Sequence, residues 1–145
     1  MKLMRYFRDK YLDGSETVLD VGSMKIRDNE TYRSLFSSYV GMDIEAGPNV
    51  DIVGYDNIPG KFDVVISGQC MEHVKRPWDW LKNLTRYFTK YICIIAPNKA
   101  REHRYPIDTY RYFPDGMRDL FEFAGIKEIE ISKVRWDTIG IGEKK

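Results

Sequence analysis

The sequence predicts a single α/β domain, doubly wound about a mostly parallel sheet of seven strands with an antiparallel pair at its C-terminal edge. Short β-branched runs bounded by turn residues alternate with helical patterns along the 145 residues, as they do where crossover helices join parallel strands. Most of these runs are poor in interior charge, as strands buried on both faces of a sheet must be. No repeat, low-complexity tract or Pro/Gly/Ser linker divides the chain, and its length suits one domain, 1–145, with one core.

The elements follow in order. Leu3, Phe7 and Tyr11 recur at helical spacing and predict an amphipathic helix within 1–14, ahead of a core spanning 17–142. The first strand is expected at 17–21. Asp28 or Asn29 can then cap a helix whose Tyr32, Leu35 and Phe36 share one face. Strands are expected at 39–44, 50–53 and 62–67. Pro77 suits a first helical position, and Trp78, Leu81, Leu84, Thr85 and Phe88 continue the helical spacing. A fifth strand is expected at 91–96. Asp115 starts a helix presenting Met117, Leu120, Phe121 and Ala124 on one face, and Gly125 can end it in the left-handed conformation. The last strands, 126–136 and 138–142, are joined by a link too short for a parallel crossover, so they are expected to run antiparallel.

Composition excludes several functional classes. With 43% hydrophobic and 14% aromatic residues the chain should pack a core rather than stay disordered. Lys plus Arg (23) nearly balances Asp plus Glu (22), so no net field draws it to nucleic acid or to an acidic membrane. Lys2, Arg5, Arg8, Asp9 and Lys10 interrupt any apolar run that could act as a signal peptide or membrane span, and a cytoplasmic location is expected. Cys70 and Cys93 lack metal-ligand spacing and are expected to be reduced, with no metal site.

The chemistry starts at the first strand's end, Asp20-Val21-Gly22-Ser23. The second strand ends in Asp43, 23 positions after Asp20. A carboxylate there can accept both hydroxyl hydrogens of a ribose lying across adjacent strand ends. The competing reading is a cap for the turn Glu45-Ala46-Gly47-Pro48. The loop Gly22-Ser23-Met24-Lys25-Ile26-Arg27 has one glycine, whereas a dinucleotide's pyrophosphate needs Gly-x-Gly-x-x-Gly for close backbone approach. That disfavours a nicotinamide oxidoreductase and favours an adenosine ligand without phosphate, S-adenosylmethionine.

Four segments carry a resemblance to the class I S-adenosylmethionine-dependent methyltransferases, with a methyltransferase type 11-like domain over 17–142. They are Val-Leu-Asp-Val-Gly-Ser at 18–23, Tyr-Val-Gly-Met-Asp-Ile at 39–44, Phe-Asp-Val-Val-Ile-Ser-Gly-Gln-Cys-Met-Glu-His-Val at 62–74, and Tyr-Ile-Cys-Ile-Ile-Ala-Pro at 91–97. The third is the most specific. The resemblance implies a Rossmann-like fold and S-adenosyl-L-methionine held by Asp20, Gly22, Ser23, Asp43 and Ile44. It also implies a pocket wall of Ser67, Gly68 and Gln69, with Glu72 and His73 following. Asp51, carried by the third-strand segment 49–54, is expected either to meet the adenine amine or to be a surface strand-end carboxylate. Met24–Arg27 stand where the family usually has further glycines, and Lys25 or Arg27 can meet the carboxylate of the methionine half.

The segment 101–115 crowds His103, Arg104, Asp108 and Arg111 among aromatic rings after the fifth strand, beside the reactive end of such a cofactor. Similar stretches in a subset of these methyltransferases look like acceptor-binding segments. Methyl transfer needs alignment, water exclusion and, for a hydroxyl acceptor, a base. His103 is the first candidate base and Asp108 the second; alternatively Asp108 and Arg111 pair to hold the loop. His73 is expected to orient the pocket wall. Glu102, Asp108 and Asp115 break up any basic stripe for nucleic acid. The expected function is methyl transfer to an oxygen or nitrogen of a small-molecule or glycan-type acceptor. The runner-up is a weakly active or inactive domain of the same fold, acting as a cofactor-sensing or partner-binding module.

Overall fold

The computed structural model describes residues 1–145. Apolar residues on alternate sides of each strand give the sheet two buried faces. In β1 (Thr17–Val21), Leu19 and Val21 enter one core and Val18 the other. The remaining strands are β2 (Ser38–Asp43), β3 (Ile52–Val53), β4 (Phe62–Gly68), β5 (Phe88–Pro97), β6 (Ile126–Val134) and β7 (Asp137–Lys144), arranged in the order β3-β2-β1-β4-β5-β7-β6. β1 to β5 pair in parallel, and β7 runs antiparallel to both β5 and β6. This is the doubly wound, mostly parallel sheet with an antiparallel C-terminal pair that the sequence predicts.

Helices α2 (Pro77–Leu84) and α3 (Pro114–Ala124) cover one face, where Leu81, Leu84, Met117 and Phe121 pack on Leu19, Val65, Ile92 and Ile94. On the other face α1 (Lys2–Tyr11) brings Met4 and Phe7 onto Val18, Val64, Ile66 and Cys93. Gly125 ends α3 at φ 76° and ψ 30°, as expected. No helix is long and apolar enough to cross a membrane.

The Ile-Gly-Ile-Gly run of β7 follows from this layering. Ile139 and Ile141 fill the α1 side, while α3 packs directly on the backbone of the glycines. A Cβ at Gly140 would stand 2.8 Å from Met117 Cγ and 2.9 Å from Phe121 Cζ. Gly140→Val is therefore expected to cost about 1–3 kcal/mol through overpacking. The measurement is the urea midpoint; an unchanged midpoint would show that α3 does not rest on this strand.

Three local expectations need correction. The helix after Asp28 and Asn29 does not form; only a short 3₁₀ turn, Tyr32–Leu35, is present. Residues 22–31 run as loop and turn, with Arg27 left-handed at φ 55°, which leaves too few residues for a helix before β2. Leu35 is nonetheless buried, with Tyr32 and Phe36 packed on the same core, so the periodicity marked a buried face rather than a helix. Second, α2 stops at Leu84 and Phe88 opens β5; both reach one core, so helical spacing continued across the boundary by coincidence. Its buried tryptophan is Trp80, whose Nε1 donates to the Tyr55 hydroxyl at 2.6 Å, while Trp78 is exposed. Third, β3 has two residues, because Asp51 turns its backbone N–H to Gly41 at 2.8 Å before pairing begins.

Candidate functional site

A cleft of about 450 Å³ opens over the C-terminal ends of β1, β2 and β4. The chain leaves β1 toward β2 on one side and later returns to β4 on the other, so the cleft lies at the switch point of the sheet, where ligands of open α/β folds bind. Gly22, Met24 and Ile26 line it from the loop after β1, and Met42, Asp43, Ile44 and Glu45 from the end of β2. Tyr55 lines it beyond β3, Gln69, Cys70, His73 and Val74 beyond β4, and Arg104, Tyr105 and Pro106 from the segment after β5.

Backbone hydrogen bonds fasten the first loop to β2. The N–H groups of Gly22 and Ser23 donate to the Met42 carbonyl at 2.9 and 3.1 Å, and Lys25 N–H donates to Pro48 at 2.9 Å. Asp43 is aimed by two more, Met24 N–H to Oδ2 at 3.1 Å and Ile44 N–H to Oδ1 at 2.8 Å. Each carboxylate oxygen can accept again, so Asp43 keeps capacity for a ligand's hydroxyls. Gly22 has φ 80°, and a Cβ there would lie 2.5 Å from Cys70 Sγ; position and neighbour both require glycine. The missing glycines have a local reason as well, because the Met24 side chain lies against Gly47 and covers the turn after β2.

Of the residues expected to hold a cofactor, Gly22, Asp43, Ile44, Gln69 and His73 line the cleft. The others stand behind it. Ser23 Oγ donates to the Asn49 carbonyl at 2.8 Å, and Ser67 Oγ to the Val21 carbonyl at 2.7 Å. Asp51 accepts from Gly41 N–H at 2.8 Å and pairs with Arg33 at 2.7 Å, which is the strand-end role among its two expected readings. Gly68 makes room for the Tyr32 ring. Gln69, left-handed at φ 55°, donates to Asp137 at 2.8 Å.

Asp20 is buried beneath the first loop and accepts the Tyr39 hydroxyl, and burial pushes its carboxyl up to about 7. An acid whose folded pKa lies above its unfolded value of about 3.9 keeps its proton in the fold while the unfolded chain loses it, so stability falls as pH rises. Wild type should therefore lose stability relative to Asp20→Asn as pH climbs from about 4 to 7. Denaturant midpoints across that window read the effect, and parallel curves would contradict it.

The turn after β4 and the segment after β5 are stitched together. Thr109 donates to the Glu72 carbonyl from its N–H at 2.7 Å and from its hydroxyl at 2.9 Å, and Tyr112 Oη donates to Met71 at 3.1 Å. Arg111 grips Asp108 at 2.7 and 2.8 Å, and Asp108 also accepts His103 N–H at 2.7 Å. The Arg111 guanidinium holds the Asp108 carboxyl well below the usual carboxylate range. Asp108, the second candidate base, has the alternative role of a loop fastener: its oxygens are occupied and its proton affinity is low. His103 thereby reaches 3.7 Å from Glu72 Oε2, and His73 reaches 3.8 Å, with the two imidazole centroids 4.8 Å apart. Glu72 is fully buried, neither of its oxygens has a hydrogen-bond partner, and burial pushes its carboxyl up to about 7.

Several lining residues gave little signal in sequence. Tyr55 follows a two-residue strand, and Met24 and Cys70 carry no strongly polar group that singles them out. Position just past a strand's C-terminal end is the cue that finds them.

No protein-family model matches the sequence, and no curated protein matches it. Solved structures do match. The chain is similar to Burkholderia thailandensis 1,6-didemethyltoxoflavin-N1-methyltransferase at 14% identity and a TM-score of 0.76, covering 99% of this chain and 77% of that one. It is similar to a SAM-dependent methyltransferase from Aquifex aeolicus at 19% identity and a TM-score of 0.72, covering 99% and 88%. It is also similar to magnesium protoporphyrin IX methyltransferase from Synechocystis at 14% identity and a TM-score of 0.68, covering 99% and 77%. What the chain shares with them is the class I methyltransferase fold.

Proposed function

We propose that this chain is an S-adenosylmethionine-dependent methyltransferase acting on an oxygen or nitrogen of a small-molecule or glycan-type acceptor. The observation that carries the reading is the aimed Asp43 carboxylate at the end of β2, facing a cleft at the sheet's switch point. The structures similar in fold include ones with bound S-adenosylmethionine or S-adenosylhomocysteine, which adds support.

The residues present fit that cofactor. Asp43 accepts ribose hydroxyls, Ile44 and Tyr55 offer apolar surface to the base, and Gly22 leaves space where any side chain would collide with Cys70. When bound, the cofactor supplies an electrophilic methyl group on a sulfonium. The chain's own task is to align the acceptor and exclude water. Arg104, Tyr105 and Pro106 form the wall beside His73 and frame the acceptor's place. His103 acts on the acceptor, with His73 orienting the wall, Glu72 buried behind both rings, and Asp108 and Arg111 as the positioning pair behind His103.

A second reading, a cofactor-sensing module without turnover, is favoured by the Met24 N–H, which is committed to Asp43 where the family has freer glycines. Transfer of labelled methyl from S-adenosylmethionine across a metabolite screen separates the two. Incorporation into an oxygen or nitrogen acceptor supports the enzyme; cofactor binding without transfer to any of a broad acceptor set supports the module.

A further inference from the structure

The chain contains two histidines, and both converge on one buried carboxylate. The Nδ1 atoms of His73 and His103 lie 2.7 Å from the Ile107 carbonyl and 2.9 Å from the Arg101 carbonyl. A carbonyl only accepts, so each Nδ1 must carry the proton, which in a neutral ring leaves Nε2 with its lone pair. Both Nε2 atoms face Glu72 Oε2, at 3.8 and 3.7 Å. With Glu72 ionised and both rings neutral, three acceptor atoms point at one another with no donor between them, and Glu72 is wholly buried with both oxygens unpartnered. Buried polar atoms are rarely left so, and what completes such a set is a cation.

We propose that Glu72, His73 and His103 form a binding site for a divalent transition ion of the zinc class. One carboxylate and two imidazoles are a ligand set that zinc and its neighbours favour, and two nitrogen donors disfavour magnesium. The ligand atoms lie within 4.8 Å of one another. Tetrahedral coordination with bonds of about 2.0–2.2 Å places adjacent ligands about 3.4 Å apart, so the two Glu72–imidazole distances need contract by only a few tenths of an ångström, and rotation of the loop-borne His103 ring brings the two imidazoles, now within 4.8 Å, together around an ion. The carbonyls behind each Nδ1 are the outer partners that orient metal-binding imidazoles, and Asp108, fixed by Arg111, adds a carboxylate 3.7 Å from His103 Nδ1. His73 also lines the cleft, so an ion bound here would stand beside the acceptor's place. There it would supply a Lewis acid that lowers the proton affinity of an acceptor oxygen. That role rests on the methyl-transfer reading; the binding of the ion does not.

The test uses the full chain, stripped of metal and free of cofactor, titrated with zinc chloride in competition with a chromogenic chelator. One equivalent per chain is expected. His103→Ala and Glu72→Gln should each weaken uptake at least about tenfold. His103 sits on a loop and is 39% exposed, so its variant is expected to melt as wild type does and keeps the test decisive if Glu72→Gln fails to fold. A cobalt-loaded sample should show visible absorption that His103→Ala abolishes. No stoichiometric zinc uptake, uptake unchanged in His103→Ala, or preference for magnesium over zinc would each overturn the site. None of these outcomes touches cofactor binding, which is measured separately with S-adenosylhomocysteine.

Discussion

Asp43→Ala is expected to weaken S-adenosylhomocysteine binding by roughly a hundredfold or more. Hydrogen bonds to a charged acceptor contribute about 1.5–3 kcal/mol each, and the ribose presents two hydroxyls to one carboxylate. Losing both bonds removes at least about 3 kcal/mol, or about two decades in Kd. Asp43→Asn keeps one accepting oxygen and should fall between the two. The variant also frees Met24 N–H, which is bonded to Oδ2 at 3.1 Å, so melting curves should accompany the titration to separate a loosened loop from a lost ligand contact. An unchanged dissociation constant would remove Asp43 from the cofactor site.

His103→Ala is expected to lower turnover by about a hundredfold or more while leaving S-adenosylhomocysteine affinity within about twofold, because groups that act on the reacting proton or its electrostatics contribute on that scale. His103 lies 3.7 Å from Glu72 and is not among the residues lining the cleft, so its loss is expected to spare cofactor affinity. Initial rates with the acceptor found by labelled transfer test this. Equal turnover in the variant would take His103 out of the mechanism, and an affinity loss matching the rate loss would place it on the cofactor instead.

The sheet was legible because its strands are written as local apolar runs, and the close of α3 because Gly125 supplies a left-handed residue at the right place. The segment between β1 and β2 misled for a physical reason. Tyr32, Leu35 and Phe36 carry a helical period, yet burial needs only that they face one core, and a 3₁₀ turn does this in four residues. The place of Asp43 in the cleft was readable from its position at the end of a strand. Ser23, Ser67 and Asp51 share that neighbourhood, but local sequence does not say which way a side chain turns, and the structure commits all three to backbone or ion-pair partners. The cluster of Glu72 with His73 and His103 was the least legible feature. The expectation of no metal site rested on cysteine spacing, while this ligand set joins two segments far apart in sequence that meet through Thr109, Tyr112 and the contact of His73 with Ile107.

The central claim is that the cleft over β1, β2 and β4 takes S-adenosylmethionine. Calorimetric titration of the wild-type chain with S-adenosylhomocysteine tests it most directly. One equivalent should bind and Asp43→Ala should abolish most of the affinity, whereas no binding at millimolar ligand would contradict the claim.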